Sequence, residues 1–199
     1  MAVAGRVGQV TRATRETDVR VTVDLDGAGR AETFTGVGFL DHMLAAFART
    51  ALCDLEVHCR GDLEVCAHHS VEDVGICLGQ ALRAAVGDRA GMRRYGWAMV
   101  PMDGALARVA LDLSGRPYLR WEAPVPLQTL GTFPTDLAPE FWRALATHAA
   151  WTLHVDLLAQ DNAHHALEAI WKACGLALGQ AVAADPRIVG PRSTKGSLD

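Results

Sequence analysis

Residues 19–25 read V-R-V-T-V-D-L, an alternation of apolar and polar positions that is the period-two pattern of a strand with one buried face. The turn Asp26-Gly27 and an extended run over 30–35 complete an expected opening hairpin. Within GVGFLDHMLAAFART, Phe39, Met43, Leu44 and Phe47 recur at helical spacing. A helix is expected there, followed by a strand in LCDLEVHC, a turn at Arg60-Gly61-Asp62 and another strand. Across 69–86, Val71, Val74, Leu78, Ala81, Leu82 and Ala85 keep three-four spacing, and Gly87 is a suitable stop for a second helix.

The remaining sequence repeats this grammar. Strands are expected over 97–102, 105–113 and 117–122, then a helix in APEFWRALATHAAW, a strand over 152–158 and a closing helix over 164–184 that Asp185-Pro186 ends. Each half, 1–92 and 93–199, carries one copy of HHxxE: HHSVED from His68 and HHALEA from His164. Sliding one half over the other lays HMLAAFAR on EFWRALAT. His42, 26 residues before the first pair, then matches Glu140, 24 before the second. The pattern predicts two tandem α+β units with the motifs in related positions.

Composition removes whole classes of function. Half of the 199 residues are hydrophobic and 21% are charged, so the chain is expected to fold rather than remain disordered. No run of eighteen apolar residues is present and residues 1–18 lack an apolar signal core, so neither a membrane span nor a secretory signal is expected. A net charge of -4 argues against a nucleic-acid binder, which needs a basic surface. The five cysteines form no CxxC pair, which points to reduced thiols and a cytoplasmic location, with most of them core filler. The eight histidines change the picture most, because four stand in two adjacent pairs.

Near a helix start, His68 with Glu72 and His164 with Glu168 are four residues apart and share a face within reach of one ion. The adjacent His69 and His165 point about a quarter-turn away. An HHxxE unit therefore suits two neighbouring metals, or one metal completed by another segment or subunit. Imidazole and carboxylate without thiolate suit Mn, Fe, Co or Zn. His58, His148 and His154 lack such a context and read as ordinary strand or helix residues. A dinuclear hydrolase would use similar ligands, but no HExxH is present.

RETDVRV with Glu16, TGVGFLDHM with His42, AHHSVEDVGI, PMD with Asp103, SGRPY with Arg116, NAHHALEAIWKA and STKGSL follow one another in order. Together they resemble the imidazoleglycerol-phosphate dehydratase family over nearly the whole chain. The resemblance implies a duplicated α+β fold of the ribosomal protein S5 domain 2-like kind, each half a four-stranded sheet with helices packed on one face. It implies a homo-oligomer of 24 subunits built from trimers, with active sites between subunits. It also implies two Mn2+ per active site, held by His42, His68, His69, Glu72, His164, His165 and Glu168, with Glu140 where the family pattern has a sixth histidine. The division of ligands between the ions stays open.

The implied reaction is dehydration of imidazole glycerol phosphate, a phosphorylated imidazole, to imidazole acetol phosphate in histidine biosynthesis. Its C–H bond has no adjacent carbonyl to acidify it, so the metal-held ring serves as the electron reservoir. Resemblance gives Glu16 the proton transfers, with Asp103 as helper, and gives the phosphate to Arg94, Arg116, Lys172, Ser193 and Lys195. Lys172 and Lys195 are the chain's two lysines, and both fall in matched motifs. The alternative is a divergent paralogue that keeps fold and metals but acts on another phosphorylated imidazole or serves a binding or structural role.

Overall fold

The computed structural model describes residues 5–198, so residues 1–4 and 199, the outer ends of the two expected halves, lie outside the described residues. The first half runs β1 (Val7–Ala13), β2 (Thr17–Asp24), β3 (Ala31–Phe34), α1 (Gly38–Ala51), β4 (Asp54–Gly61) and α2 (His68–Val86). The second runs β5 (Tyr95–Met102), β6 (Ala105–Asp112), β7 (Tyr118–Glu122), the two-residue strands β8 (Thr129–Leu130) and β9 (Phe133–Pro134), α3 (Leu137–Ala149), β10 (Thr152–Ala159) and α4 (Ala163–Val182). Among the described residues the two four-stranded sheets have orders β1-β2-β4-β3 and β5-β6-β10-β7, the same topology twice. This is a duplicated α+β fold.

The expected hairpin over 19–35 does not form. β4 inserts between β2 and β3, antiparallel to the first and parallel to the second. Asp54 is the local cause: its carboxylate accepts from the peptide N–H groups of Ala28 at 2.8 Å and Arg30 at 3.0 Å, which draws the chain after β2 to the start of β4. The opening hairpin is instead β1 with β2. β1 escaped the alternation test because its inward positions are Gly8, the half-buried Val10 and Arg12. Gly8 is required there, since a Cβ would lie 1.9 Å from the Ala81 carbonyl oxygen of α2. The strand expected after Asp62 is also absent; Val65 N–H closes a turn on the Asp62 carbonyl at 2.8 Å, and the chain enters α2.

The sheets place their apolar residues, such as Val19, Val21 and Val23 of β2, against the helices. The two halves meet helix to helix, α1 against α4 and α2 against α3. Close backbone approach defines both crossings. A Cβ on Gly175 would lie 2.5 Å from the Phe47 carbonyl oxygen, and one on Gly79 would lie 2.6 Å from that of Leu145. Each glycine stands eleven residues after the first histidine of its motif, and Phe47 and Leu145 stand five after His42 and Glu140. The two contacts are one contact in two copies, which makes Glu140 the positional counterpart of His42. Phe47, Phe141, Trp142 and Trp171 fill the space between the halves, with the Trp142 and Trp171 ring centroids 5.1 Å apart. Cys53, Cys77 and Cys174 are buried core residues, and burial pushes the Cys53 thiol up to about 12.

Candidate active site

Crossing α1 over α4 brings His42 of the first half to the motif of the second. The His42 Nε2 and His164 Nε2 atoms lie 3.3 and 3.1 Å from Glu168 Oε2, and Lys172 Nζ lies 2.7 Å from Glu168 Oε1. The expected four-residue spacing thus puts His164 and Glu168 on one helical face, with Lys172 one further turn along. Glu168 is buried while His42 and His164 are exposed. Burial pushes the Glu168 carboxyl up, but the Lys172 ammonium and His42 outweigh it and hold the group below its ordinary value. Donor atoms of His42, His164 and Glu168 lie within 4.8 Å of one another. Two imidazole nitrogens and one carboxylate oxygen at that separation could coordinate a metal ion of the Mn, Fe, Co or Zn class.

The first motif is more open. His68 Nε2 is 3.8 Å from Glu72 Oε2, and His69 Nε2 is 3.8 Å from the Glu16 carboxylate. Glu140, the counterpart of His42, turns instead to Arg143 three residues along α3. The second copy of the His69 arrangement is His165, whose Nε2 is 3.6 Å from Asp103 Oδ2. Glu16 and Asp103 occupy corresponding hairpin turns. Thr14 shapes the first by accepting from the Glu16 and Thr17 N–H groups through its hydroxyl. In the second, Asp103 takes φ 46° before Gly104, as a two-residue hairpin turn requires.

Two aspartates that the sequence reading passed over complete these groups. Asp62 Oδ2 lies 3.0 Å from His69 Nδ1, and Asp161 Oδ2 lies 3.2 Å from His165 Nδ1. The hydrogen bond to Asp62 raises the His69 pKa. Their signal in the sequence is an acidic residue shortly before each HH pair, but it stands six residues before His68 and three before His164, so the repeat does not align them.

The residues expected at the phosphate divide. Arg94, Arg116, Ser193 and Lys195 line one open cavity of about 680 Å³ together with Arg192 and Thr194, which the sequence reading missed. Arg94 builds its wall: Nε donates to Asp112 at 2.7 Å and Nη1 to the Arg192 carbonyl at 2.8 Å, anchoring the C-terminal segment. Lys172 belongs to the histidine cluster instead. Arg94 precedes β5 and Asp103 follows it, so the cavity and the His165–Asp103 group lie at opposite ends of one strand. At ~3.3 Å per residue that separation is roughly 30 Å.

A twice-used α+β unit whose crossed helices bring His42, His164 and Glu168 within reach of one ion, with a basic pocket remote from them, defines a class of duplicated α+β enzyme whose site could hold a metal. The family model for imidazoleglycerol-phosphate dehydratase matches residues 35–178. The chain is 57% identical over 197 residues to the imidazoleglycerol-phosphate dehydratase of Symbiobacterium thermophilum, covering 99% of this chain and 95% of that one. It is 54% identical over 194 residues to that of Cereibacter sphaeroides, covering 97% and 100%. The crystal structure of the Staphylococcus aureus dehydratase superposes with a TM-score of 0.82 at 40% identity, covering 90% of this chain and 99% of that one. The chain belongs to the imidazoleglycerol-phosphate dehydratase family.

Proposed function

We propose that this chain is a hydro-lyase that dehydrates imidazole glycerol phosphate to imidazole acetol phosphate in histidine biosynthesis. One C–H and one C–OH bond break, water leaves, and the resulting enol tautomerises to the ketone. The convergence of His42, His164 and Glu168 on one point carries the reading, because this reaction needs electron density to be held on the imidazole ring. The donor set fits two manganese ions, with His42, His68, His69, Glu72, His164, His165 and Glu168 as the holders and Glu140 in the sixth histidine's place. Manganese bound there supplies Lewis acidity that favours negative charge on the ring.

The chain's own groups do the rest. Glu16, exposed on its turn and next to His69, takes and returns the proton, and Asp103 assists from the corresponding turn. Arg116, Ser193 and Lys195 bind the phosphate in the cavity that Arg94 braces, and Lys172 joins them from the metal side of a neighbouring subunit. A substrate that places imidazole and phosphate a few bonds apart cannot span the roughly 30 Å between cavity and His165 group within one chain. The site is therefore completed between subunits of a homo-oligomer, which we take to be the 24-subunit assembly of trimers. No helix among the described residues is long and apolar enough to cross a membrane. The free thiols of the five cysteines support our placing the enzyme in the cytoplasm.

The test is product formation by purified protein loaded with Mn2+, with metal content and assembly verified. Metal-replete, assembled protein that yields no imidazole acetol phosphate would overturn the reading.

A further inference from the structure

Asp62 occupies a junction that neither its own position nor the HHxxE motif announces. Its peptide N–H donates to the Glu16 carbonyl at 3.1 Å, while its carboxylate faces His69 Nδ1 from both oxygens, at 3.0 and 3.2 Å. A carboxylate can only accept, so Nδ1 carries a proton, and in the neutral ring that a metal ion binds the lone pair is on Nε2. That same Nε2 lies 3.8 Å from the Glu16 carboxylate. One residue thus fixes the ring orientation of His69 through its side chain and the turn bearing Glu16 through its backbone.

We infer that Asp62 is a positioning residue for His69, holding the imidazole in the Nδ1–H tautomer so that Nε2 is presented as a ready-made ligand beside Glu16. This rests on the metal reading given above. Histidine ligands gain affinity when the other ring nitrogen donates to a carboxylate, and loss of such a partner typically weakens metal binding ~10–100-fold.

The second half supplies an internal comparison. Asp161 Oδ2 lies 3.2 Å from His165 Nδ1 and 3.4 Å from the Gly104 peptide nitrogen next to Asp103, so it too links a motif histidine to an acid-bearing turn. There, however, the Asn162 side-chain nitrogen lies 2.8 Å from His165 Nδ1 while its oxygen caps the helix by accepting from His165 N–H at 2.9 Å. The amide cannot flip without losing the cap, so a donor competes with Asp161 for Nδ1. The tautomer is fixed at His69 and contested at His165. Asp62 should matter more than Asp161.

Equilibrium dialysis against buffered Mn2+ tests this on the full chain, with thermal melting of the metal-free protein in parallel. Asp62→Ala keeps the peptide N–H bond to Glu16 and removes only the acceptor. Its expected effect is 10–100-fold weaker binding of manganese with an unchanged metal-free melting temperature. Asp62→Asn, which retains an acceptor oxygen, should recover part of the loss, and Asp161→Ala should lose less than Asp62→Ala. Wild-type affinity in Asp62→Ala, or an equal loss in Asp161→Ala, would overturn the inference while leaving the metal reading intact. Wild-type chain that binds no manganese would overturn the metal reading and this inference with it.

Discussion

Lys172 and Glu168 form an ion pair of 2.7 Å at the point where the two halves of the chain interlock, with the ammonium on Oε1 and two histidines on Oε2. Glu168 is buried, so its charge depends on these partners. Lys172→Met should destabilise the metal-free protein by about 1.5–3 kcal/mol, the range for a lost hydrogen bond to a charged group. Saturating Mn2+ should recover most of that loss by neutralising the same carboxylate, while the dehydration rate stays depressed. Denaturant titrations with and without metal measure both. An equal deficit in the two would show that Lys172 acts independently of the ion site.

The paired crossings at Gly79 and Gly175 predict matched defects. An added Cβ would stand 2.6 Å from the Leu145 carbonyl oxygen in one and 2.5 Å from that of Phe47 in the other, and both neighbours are helix backbone. Gly79→Ala and Gly175→Ala should each cost about 1–3 kcal/mol, as overpacked cores do. Equilibrium unfolding of the two variants should give similar values. A large loss in only one would mean that the halves do not share this contact energetically.

These glycines also mark where the sequence was readable. Alternation located β2, helical spacing of apolar residues located α1 and α2, and HHxxE located the histidines on the first turns of α2 and α4, because each signal is local. The order of strands was not readable, since β3 and β7 are placed by parallel pairing to strands that come after an intervening helix. β1 was hidden because its inward face is made of Gly8, Val10 and Arg12 rather than large apolar residues. In the site, the four-residue spacing placed His164 and Glu168 on one face of α4. Asp62 and Asp161 did not, because loops of different length deliver them to equivalent histidines.

Asp54 gives the pH dependence of the crossover between β2 and β3. Arg30 foremost, with the peptide N–H groups of Arg30 and Ala28, holds its carboxyl well below the usual carboxylate range. A depressed folded-state pKa contributes stability in full above the unfolded value of about 4, and that contribution is lost as pH falls through the folded value. Wild type should therefore exceed Asp54→Asn in unfolding midpoint by a constant margin from pH 5 to 8. The margin should narrow below pH 4. A margin that persists unchanged to pH 2 would assign the effect to something other than this carboxylate's ionisation.

Glu140 is where the two copies of the fold part company. It holds the position on α3 that His42 holds on α1, yet it pairs with Arg143, and the corresponding His68–Glu72 approach is 3.8 Å against 3.1 Å for His164–Glu168. A carboxylate at this place can bind manganese, but it puts a negative charge where the first copy has an imidazole nitrogen, which lowers the ion's Lewis acidity. Glu140→His restores the nitrogen donor of the first copy and frees Arg143. The variant should keep full manganese occupancy and retain or raise dehydratase activity, measured on the assembled protein. Arg143→Ala, which leaves Glu140 without its cation, should leave occupancy unchanged or increase it. Lost occupancy in Glu140→His would show instead that Glu140 and Arg143 constitute a specialised site, and that the duplication has diverged at the metal rather than merely in the helix that carries it.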